Sequence, residues 1–178
     1  LSGAGFRLPT NVFVHGFLAS GDTWANHATL MTGVTPARHG VLHNGVLGPR
    51  EPGRPLRVIQ NIRDRPMPVP TLSDLAHARG LRTAHVGWLP PRAGSAVHEV
   101  FPDQASPEGP TETRAVRAGL LSADELARFT SLPVIHRDLV WTRVAIHLLR
   151  EQRPNLLLFH LLGSDWLQHQ HGPGSLSA

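Results

Sequence analysis

Cysteine is absent from the 178 residues of this chain, and its absence excludes several classes of protein. A chain without cysteine cannot build a disulfide scaffold, a thiolate zinc site or a cysteine nucleophile. It also lacks the cysteine-derived nucleophile of most sulfatases. Any chemistry must therefore use hydroxyl, imidazole or carboxylate groups.

Long apolar runs are absent as well. The longest one, residues 156–162, is interrupted by His160 and is far shorter than the roughly 18 residues that a membrane-spanning helix needs. We therefore expect no membrane span. No charged segment leads into an apolar stretch after Leu1, so no signal peptide is visible; the N-terminus looks truncated, and the compartment stays open.

Lysine is the third absence, because all 17 positions counted as Lys or Arg are Arg. The formal net charge is +4, yet the arginines are scattered without a run of three. This distribution does not favour a nucleic-acid-binding surface. Nucleic-acid binding is kept as an alternative, and it would show as affinity that falls steeply with salt.

What is present fits one globular domain of helices and strands. Apolar residues make up 40 % of a chain of one-domain length. The patterns predict helices that alternate with strands, and such alternation is typical of an α/β fold with a mostly parallel central sheet. In such sheets ligands bind beyond the carboxyl ends of the strands.

Capping residues, glycines and apolar periodicity give the expected elements. We predict a helix that Thr23 caps and Gly33 ends, a helix from Thr71 closed by Gly80, and a capping box at residues 122–125 that begins a helix over 123–129. The longest helix should span 136–152, with an apolar face of Leu139, Val140, Val144 and Leu148, widened by Trp141, Ile146 and Leu149. Strands are expected at 11–14, at 81–88 and at 156–162, the last buried on both faces. Residues 45–70 and 90–110 should be irregular.

A carboxylate and an imidazole follow the last predicted strand. Asp165 and His169 are four residues apart, so in a loop or the first turn of a helix they can converge on one zinc ion as oxygen and nitrogen ligands. The spacing alone is also consistent with a capping Asp and a surface His. Both interpretations stay open on the spacing.

A threonine lies where a helix is predicted to begin. Thr23 can be an ordinary helix cap. The same position is also an anion site, since backbone amides and the helix dipole favour a phosphoryl group there. A metal ion can lower the pKa of the hydroxyl so that it attacks phosphorus, and Thr23 could then be both metal ligand and nucleophile.

Two segments together resemble one known family. The first contains Thr23-Trp-Ala-Asn-His27, Thr32-Gly33, Pro36-Ala-Arg-His39-Gly40 and Asn44; the second is Asp165-x-x-x-His169-x-x-Gly172-Pro173. In order and spacing they are similar to the nucleophile and metal segments of the nucleotide pyrophosphatase/phosphodiesterase family, in the alkaline phosphatase superfamily. Trp24 and Ala25 depart from that family's Phe and Pro.

The resemblance implies a fold, an activity and a site. The fold would be part of an alkaline-phosphatase-like three-layer sandwich, and the activity would be hydrolysis of phosphodiester or nucleotide pyrophosphate bonds in a small phosphate ester or nucleotide. Two divalent metal ions, expected to be zinc, would take part. Thr23 would be the nucleophile and bind one metal, while Asp165 and His169 would bind the other. Asn44 would hydrogen-bond a phosphoryl oxygen, and His27 and His39 would support the fold. Trp24 would bind the substrate by stacking on a nucleobase or packing on a leaving group; the alternative is an ordinary aromatic of the core or its rim.

Several ligands of that family's site have no counterpart in this chain. The family has an Asp early in the fold, and an Asp-His pair and a final His downstream; here the first acid is Asp22 and only a short tail follows His171. We therefore expect residues 1–178 to form a single incomplete catalytic domain with impaired hydrolysis. The alternative is a non-catalytic remnant of the fold that acts as a binding or structural module.

Overall fold

A computed structural model describes residues 22–47, 52–54, 58–59, 67–89 and 97–172 of the chain. Within them the helices, in chain order, are α1 (Thr23–Thr32), α2 (Pro36–His39), α3 (Leu72–His77), α4 (Pro110–Arg117), α5 (Ala123–Ala127), α6 (Val134–Glu151) and α7 (Gly163–His171). The strands are β1 (Val46–Leu47), β2 (Val58–Ile59), β3 (Thr83–Val86), β4 (Glu99–Phe101) and β5 (Leu156–Phe159). The strand expected at residues 11–14 lies outside the described residues.

A small parallel sheet lies at the centre of the described fold. Its strand order is β4-β3-β5, and both pairings are parallel, with Ala84 opposite Glu99 on one side and opposite Leu157 on the other. Helices α4, α5 and α6 lie between β4 and β5 along the chain. The predicted α/β class with a parallel sheet is therefore confirmed.

The prediction that the last strand is buried on both faces is wrong. All four residues of β5 are partly exposed, because among the described strands β5 pairs only with β3 and lies at an edge. Leu157 and Phe159, two residues apart, pack against the core, as expected for side chains on one face of a strand. Of the two faces predicted to be buried, only the one that contains Leu157 and Phe159 packs against the core.

Helix α6 provides one side of the core. Its buried residues include Val140, Trp141, Val144 and Leu148, which pack with Phe101 of β4 and Phe129 of the short 3-10 helix Phe129–Ser131. The ring of Phe129 meets Phe101 and Trp141 edge-on, at 5.6 Å between centroids in each case. Three residues of the predicted apolar face are instead exposed: Leu139, Ile146 and Leu149.

The predicted capping box at residues 122–125 is confirmed, and a second one begins the helix predicted from Thr71. The hydroxyl of Thr71 accepts a hydrogen bond from the backbone N–H of Asp74, whose carboxylate accepts one from the backbone N–H of Thr71. Ser122 and Glu125 make the same reciprocal pair at the start of α5. Both boxes satisfy N–H groups that a helix leaves without partners in its first turn.

Regular structure also occurs in the two segments that were expected to be irregular. Strands β1 and β2 form an antiparallel pair inside 45–70, and β4 lies inside 90–110. Strand β4 is held by the buried carboxylate of Glu99, which accepts a hydrogen bond from Thr111 at 2.9 Å and pairs with Arg114. Helix α4, which sequence patterns did not predict, supplies both of these partners.

No helix among the described residues is both long enough and apolar enough to cross a membrane.

Candidate active site

Helix α1 packs on the edge where β3 and β5 end. The ring of His27, in the second turn of α1, stacks on Trp88 just after β3, with centroids 4.0 Å apart and an interplanar angle of 11°. The same ring meets His160, just after β5, edge-on at 4.6 Å. The helix that begins at Thr23 is therefore fixed at the carboxyl edge of the parallel sheet, where α/β proteins bind ligands.

A glycine permits the close approach of the two strand ends. Gly87 follows β3 with a φ of +62°, and a Cβ there would lie 2.6 Å from the backbone oxygen of His160. A side chain at this position would be strained by the backbone angle and would also collide with the chain after β5. Gly87 is thus needed for the arrangement around His27.

The two histidines at this edge are held neutral in one tautomer. His27 donates from Nδ1 to the backbone oxygen of Leu89 at 2.6 Å, and His160 donates from Nδ1 to that of Gly87 at 3.3 Å. Burial, and then the neighbouring His160, lower the pKa of His27 from 6.5 to about 4, although the bond to Leu89 acts in the opposite direction. Burial also lowers the pKa of His160, against the opposing effects of its hydrogen bond and nearby carboxylates.

The start of α1 is capped from a distant part of the chain. Asp22 occupies the N-cap position, but its side chain makes no capping hydrogen bond; its carboxylate instead accepts from His43 Nδ1 at 2.6 Å. The backbone N–H of Trp24 donates to Asn44 Oδ1 at 2.8 Å. The prediction that Thr23 caps the helix is wrong, because Thr23 is already helical and Asn44 supplies the cap.

This capping bond orients the Asn44 amide. Because Oδ1 accepts from Trp24, the Nδ2 group of Asn44 remains as a donor pair beside the first turn of α1. Thr23 and Trp24, the first two residues of that turn, are both partly buried. The structure therefore brings Thr23, Trp24 and Asn44 together at one helix terminus.

His39 lies in the core of the same region. It is 1 % exposed, its Nδ1 accepts from the backbone N–H of Val41 at 3.1 Å, and its Nε2 is 2.9 Å from the Thr29 hydroxyl. Since Nδ1 accepts, Nε2–H must donate to Thr29, which itself donates to Ala25. Burial lowers the pKa of His39. His39 thus links α2 to α1, which agrees with the structural role inferred from the sequence.

The second motif lies on α7. Asp165 is in the first turn and His169 one turn later, and Asp165 Oδ1 is 3.7 Å from His169 Nε2. Their side chains are 57 % and 77 % exposed. An oxygen and a nitrogen donor on one face of a helix fit a zinc ion in part, because catalytic zinc usually has three protein ligands.

The two motifs approach the same sheet edge from different elements. Asp165 acts electrostatically on His160, and His160 contacts His27 of α1. Within the described part of the chain, no hydrogen bond or ion pair joins Thr23 or Asn44 directly to Asp165 or His169. Nor do three or more His, Asp or Glu side chains gather there in a group that could hold a metal ion.

Three residues that sequence patterns did not select take part in this arrangement. Trp88 and His160 enclose His27, and Asp138 of α6 binds the backbone at the start of α7. The sequence gives one indication of His160, because this histidine interrupts an otherwise apolar run. The contacts of Trp88 and Asp138 are long-range, and local patterns give no sign of them.

Comparison with known families gives a match over most of the chain. The family model described as type I phosphodiesterase / nucleotide pyrophosphatase matches residues 20–178, a range that contains both motifs. No curated protein sequence matches the chain.

Proposed function

Since the chain belongs to the type I phosphodiesterase / nucleotide pyrophosphatase family, we propose that it hydrolyses phosphodiester or nucleotide pyrophosphate bonds with Thr23 as the nucleophile. The family implies a hydrolase of phosphate esters. The observation that carries the role of Thr23 is its place as the first helical residue of α1, beside the Asn44 amide.

The start of α1 suits an anionic phosphoryl group. Backbone N–H groups and the helix dipole favour negative charge there, and the Nδ2 group of Asn44 adds a donor for a non-bridging oxygen. The Thr23 hydroxyl attacks phosphorus. A bond from Thr23 Oγ1 to phosphorus forms, the bond to the leaving oxygen breaks, and the hydroxyl proton passes to the leaving group or to solvent. Water then displaces Thr23 and restores the hydroxyl. Trp24, adjacent and partly buried, would contact the leaving group or a base.

Asp165 and His169 would hold one divalent metal ion, for which zinc is the expected element, and Thr23 would bind a second. Bound metal at such a site supplies Lewis-acid stabilisation of charge on phosphoryl oxygens. The contribution of this chain is to hold an oxygen and a nitrogen donor on one exposed face of α7. With two protein donors in place of three, we expect weak loading and slow turnover.

The test is hydrolysis of bis(p-nitrophenyl) phosphate and of p-nitrophenyl phosphate, with and without zinc. We expect zinc-stimulated cleavage of the diester, and a fall of at least about 10³-fold for Thr23→Ala, as when a nucleophile is removed. Thr35→Ala is the matched control, because Thr35 is exposed at the N-cap of α2 and makes no capping bond. Equal activity of wild type and Thr23→Ala would exclude Thr23 as the nucleophile.

A second candidate function is a non-catalytic binding or structural module of the same fold. It is favoured by the lack, among the described residues, of any group of three His, Asp or Glu side chains that could hold a metal. This candidate predicts no hydrolysis in the assay above and no zinc binding by calorimetry. Binding of one equivalent of zinc or more would count against it.

A further inference from the structure

Helix α7 begins without a cap from its own residues. Leu162 occupies the N-cap position and Gly163 begins the helix, and neither side chain has an oxygen that could accept a hydrogen bond. The first N–H groups of a helix have no partners within the helix and need acceptors elsewhere. The N–H groups of Leu162 and Gly163 therefore need acceptors from water or from another element.

Asp138 of α6 supplies both acceptors. Its Oδ1 accepts from the backbone N–H of Leu162 at 3.0 Å, and its Oδ2 accepts from that of Gly163 at 2.8 Å. Asp138 is itself partly buried and lies on α6, whose residues Val140 and Trp141 are fully buried in the core. A negative charge at this end of α7 also suits the helix dipole.

A glycine at the first position of α7 leaves room for this close approach. A Cβ on Gly163 would lie 2.5 Å from Asp138 Oδ2 and 2.9 Å from Ile135 Cδ1. A larger residue there would displace the Asp138 carboxylate or the end of the Ile135 side chain, and would so disturb the contact. The glycine at 163 and the Asp at 138 are thus two parts of one contact.

We propose that Asp138 is a positioning residue, which fixes the start of α7 and thereby the direction in which Asp165 and His169 present their ligand atoms. The inference rests on the proposed function, because it assigns Asp138 a role toward the metal that these two residues would hold. Asp165 lies two residues after Gly163 and His169 one turn further. A shift of the helix start therefore moves both donors relative to the sheet edge that carries His160.

The test combines amide exchange with zinc titration on the whole chain. For Asp138→Ala we expect hydrogen exchange at Leu162 and Gly163 to rise at least tenfold, and the zinc dissociation constant to rise about tenfold or more, as for other residues that orient metal ligands. Asp138→Asn keeps one acceptor and should lie between wild type and Asp138→Ala. Asp124→Asn, which changes an exposed carboxylate paired with Arg128, is the control and should change neither value.

Gly163→Ala gives the same test from the other side of the contact. It keeps the carboxylate group but crowds it, and should also raise exchange and weaken zinc binding, so the inference stays testable if Asp138→Ala does not fold. Faster exchange with unchanged zinc affinity in the folded variants would overturn the positioning role while leaving the proposed function intact. Wild-type protein that binds no zinc would overturn the metal role of Asp165 and His169, and the positioning role with it.

Discussion

Helices α1 and α7 carry the two motifs, and they are held at the sheet edge by different kinds of contact. Helix α1 is fixed by aromatic and imidazole rings: the partly buried His27 contacts Trp88 and His160, and the buried His39 bonds to Thr29. Helix α7 exposes its motif side chains and is fixed at its start by Asp138. The motif histidines therefore differ in kind, since those near α1 support packing and His169 is available to a ligand.

The comparison predicts that a variant of the exposed motif loses activity without losing stability. For His169→Ala we expect zinc-stimulated diester hydrolysis to fall by about 10³-fold, because a bound metal contributes several kcal/mol to charge stabilisation. The free energy of unfolding should change by less than about 0.5 kcal/mol, since the side chain is largely exposed.

The matched control is His171→Ala, an exposed histidine in the last turn of the same helix. It should leave both hydrolysis and stability near the wild-type values. Equal losses of activity in the two variants would remove the special role of His169.

For the buried His39, in contrast, we expect a large loss of stability on substitution. His39→Ala removes a fully buried ring and two hydrogen bonds, and should lower the free energy of unfolding by about 2–4 kcal/mol. His43→Ala breaks an exposed pair with Asp22 and should cost less than about 1 kcal/mol. Urea denaturation measures both values, and a loss for His39→Ala no larger than that for His43→Ala would contradict the assignment.

The third prediction concerns pH and has the smallest effect. The pKa of His27 is lowered to about 4 in the folded state, whereas in the unfolded chain it stays near 6.5. Between these two pH values His27 is protonated in the unfolded chain and neutral in the folded one. Stability that is present above pH 6.5 is therefore lost as the pH falls toward 4. Between pH 7.5 and 5 the protonation of His27 should lower the free energy of unfolding by an amount on the order of 2 kcal/mol.

His27→Asn isolates that effect, because its amide can still donate to Leu89 but does not titrate. Between pH 7.5 and 5, the free energy of unfolding of the variant should fall by about 2 kcal/mol less than that of the wild type, as measured by urea denaturation at each pH. His85, whose burial lowers its pKa to about 4 against the opposing effect of Asp74, contributes equally to both proteins. Identical pH dependences of wild type and His27→Asn would show that His27 does not titrate as described.

Local patterns in the sequence predicted the elements whose causes are local. The capping boxes at Thr71 and Ser122 depend on residues three apart, and Gly33 ends α1 in a left-handed conformation. Periodicity located α6 but did not say which of its apolar residues would be covered. Leu139, Ile146 and Leu149 stay exposed because the sheet and its neighbours cover only the face that contains Val140, Trp141 and Val144.

The contacts that assemble the candidate site are long-range, and this is why the sequence did not predict them. Asn44 caps a helix that begins 21 residues earlier, and Asp138 binds residues 24 and 25 positions later. Such pairings depend on how the chain folds back on itself. The family resemblance located the motif residues, and the structure adds the groups that hold them.

The most direct test of the central claim is to locate the covalent intermediate. The zinc-supplemented chain would be mixed with bis(p-nitrophenyl) phosphate, quenched in acid within the first turnover, digested and analysed by mass spectrometry. The account predicts a p-nitrophenyl phosphoryl group on Thr23. Hydrolysis that leaves Thr23 unmodified, or a phosphoryl group on another residue, would contradict it.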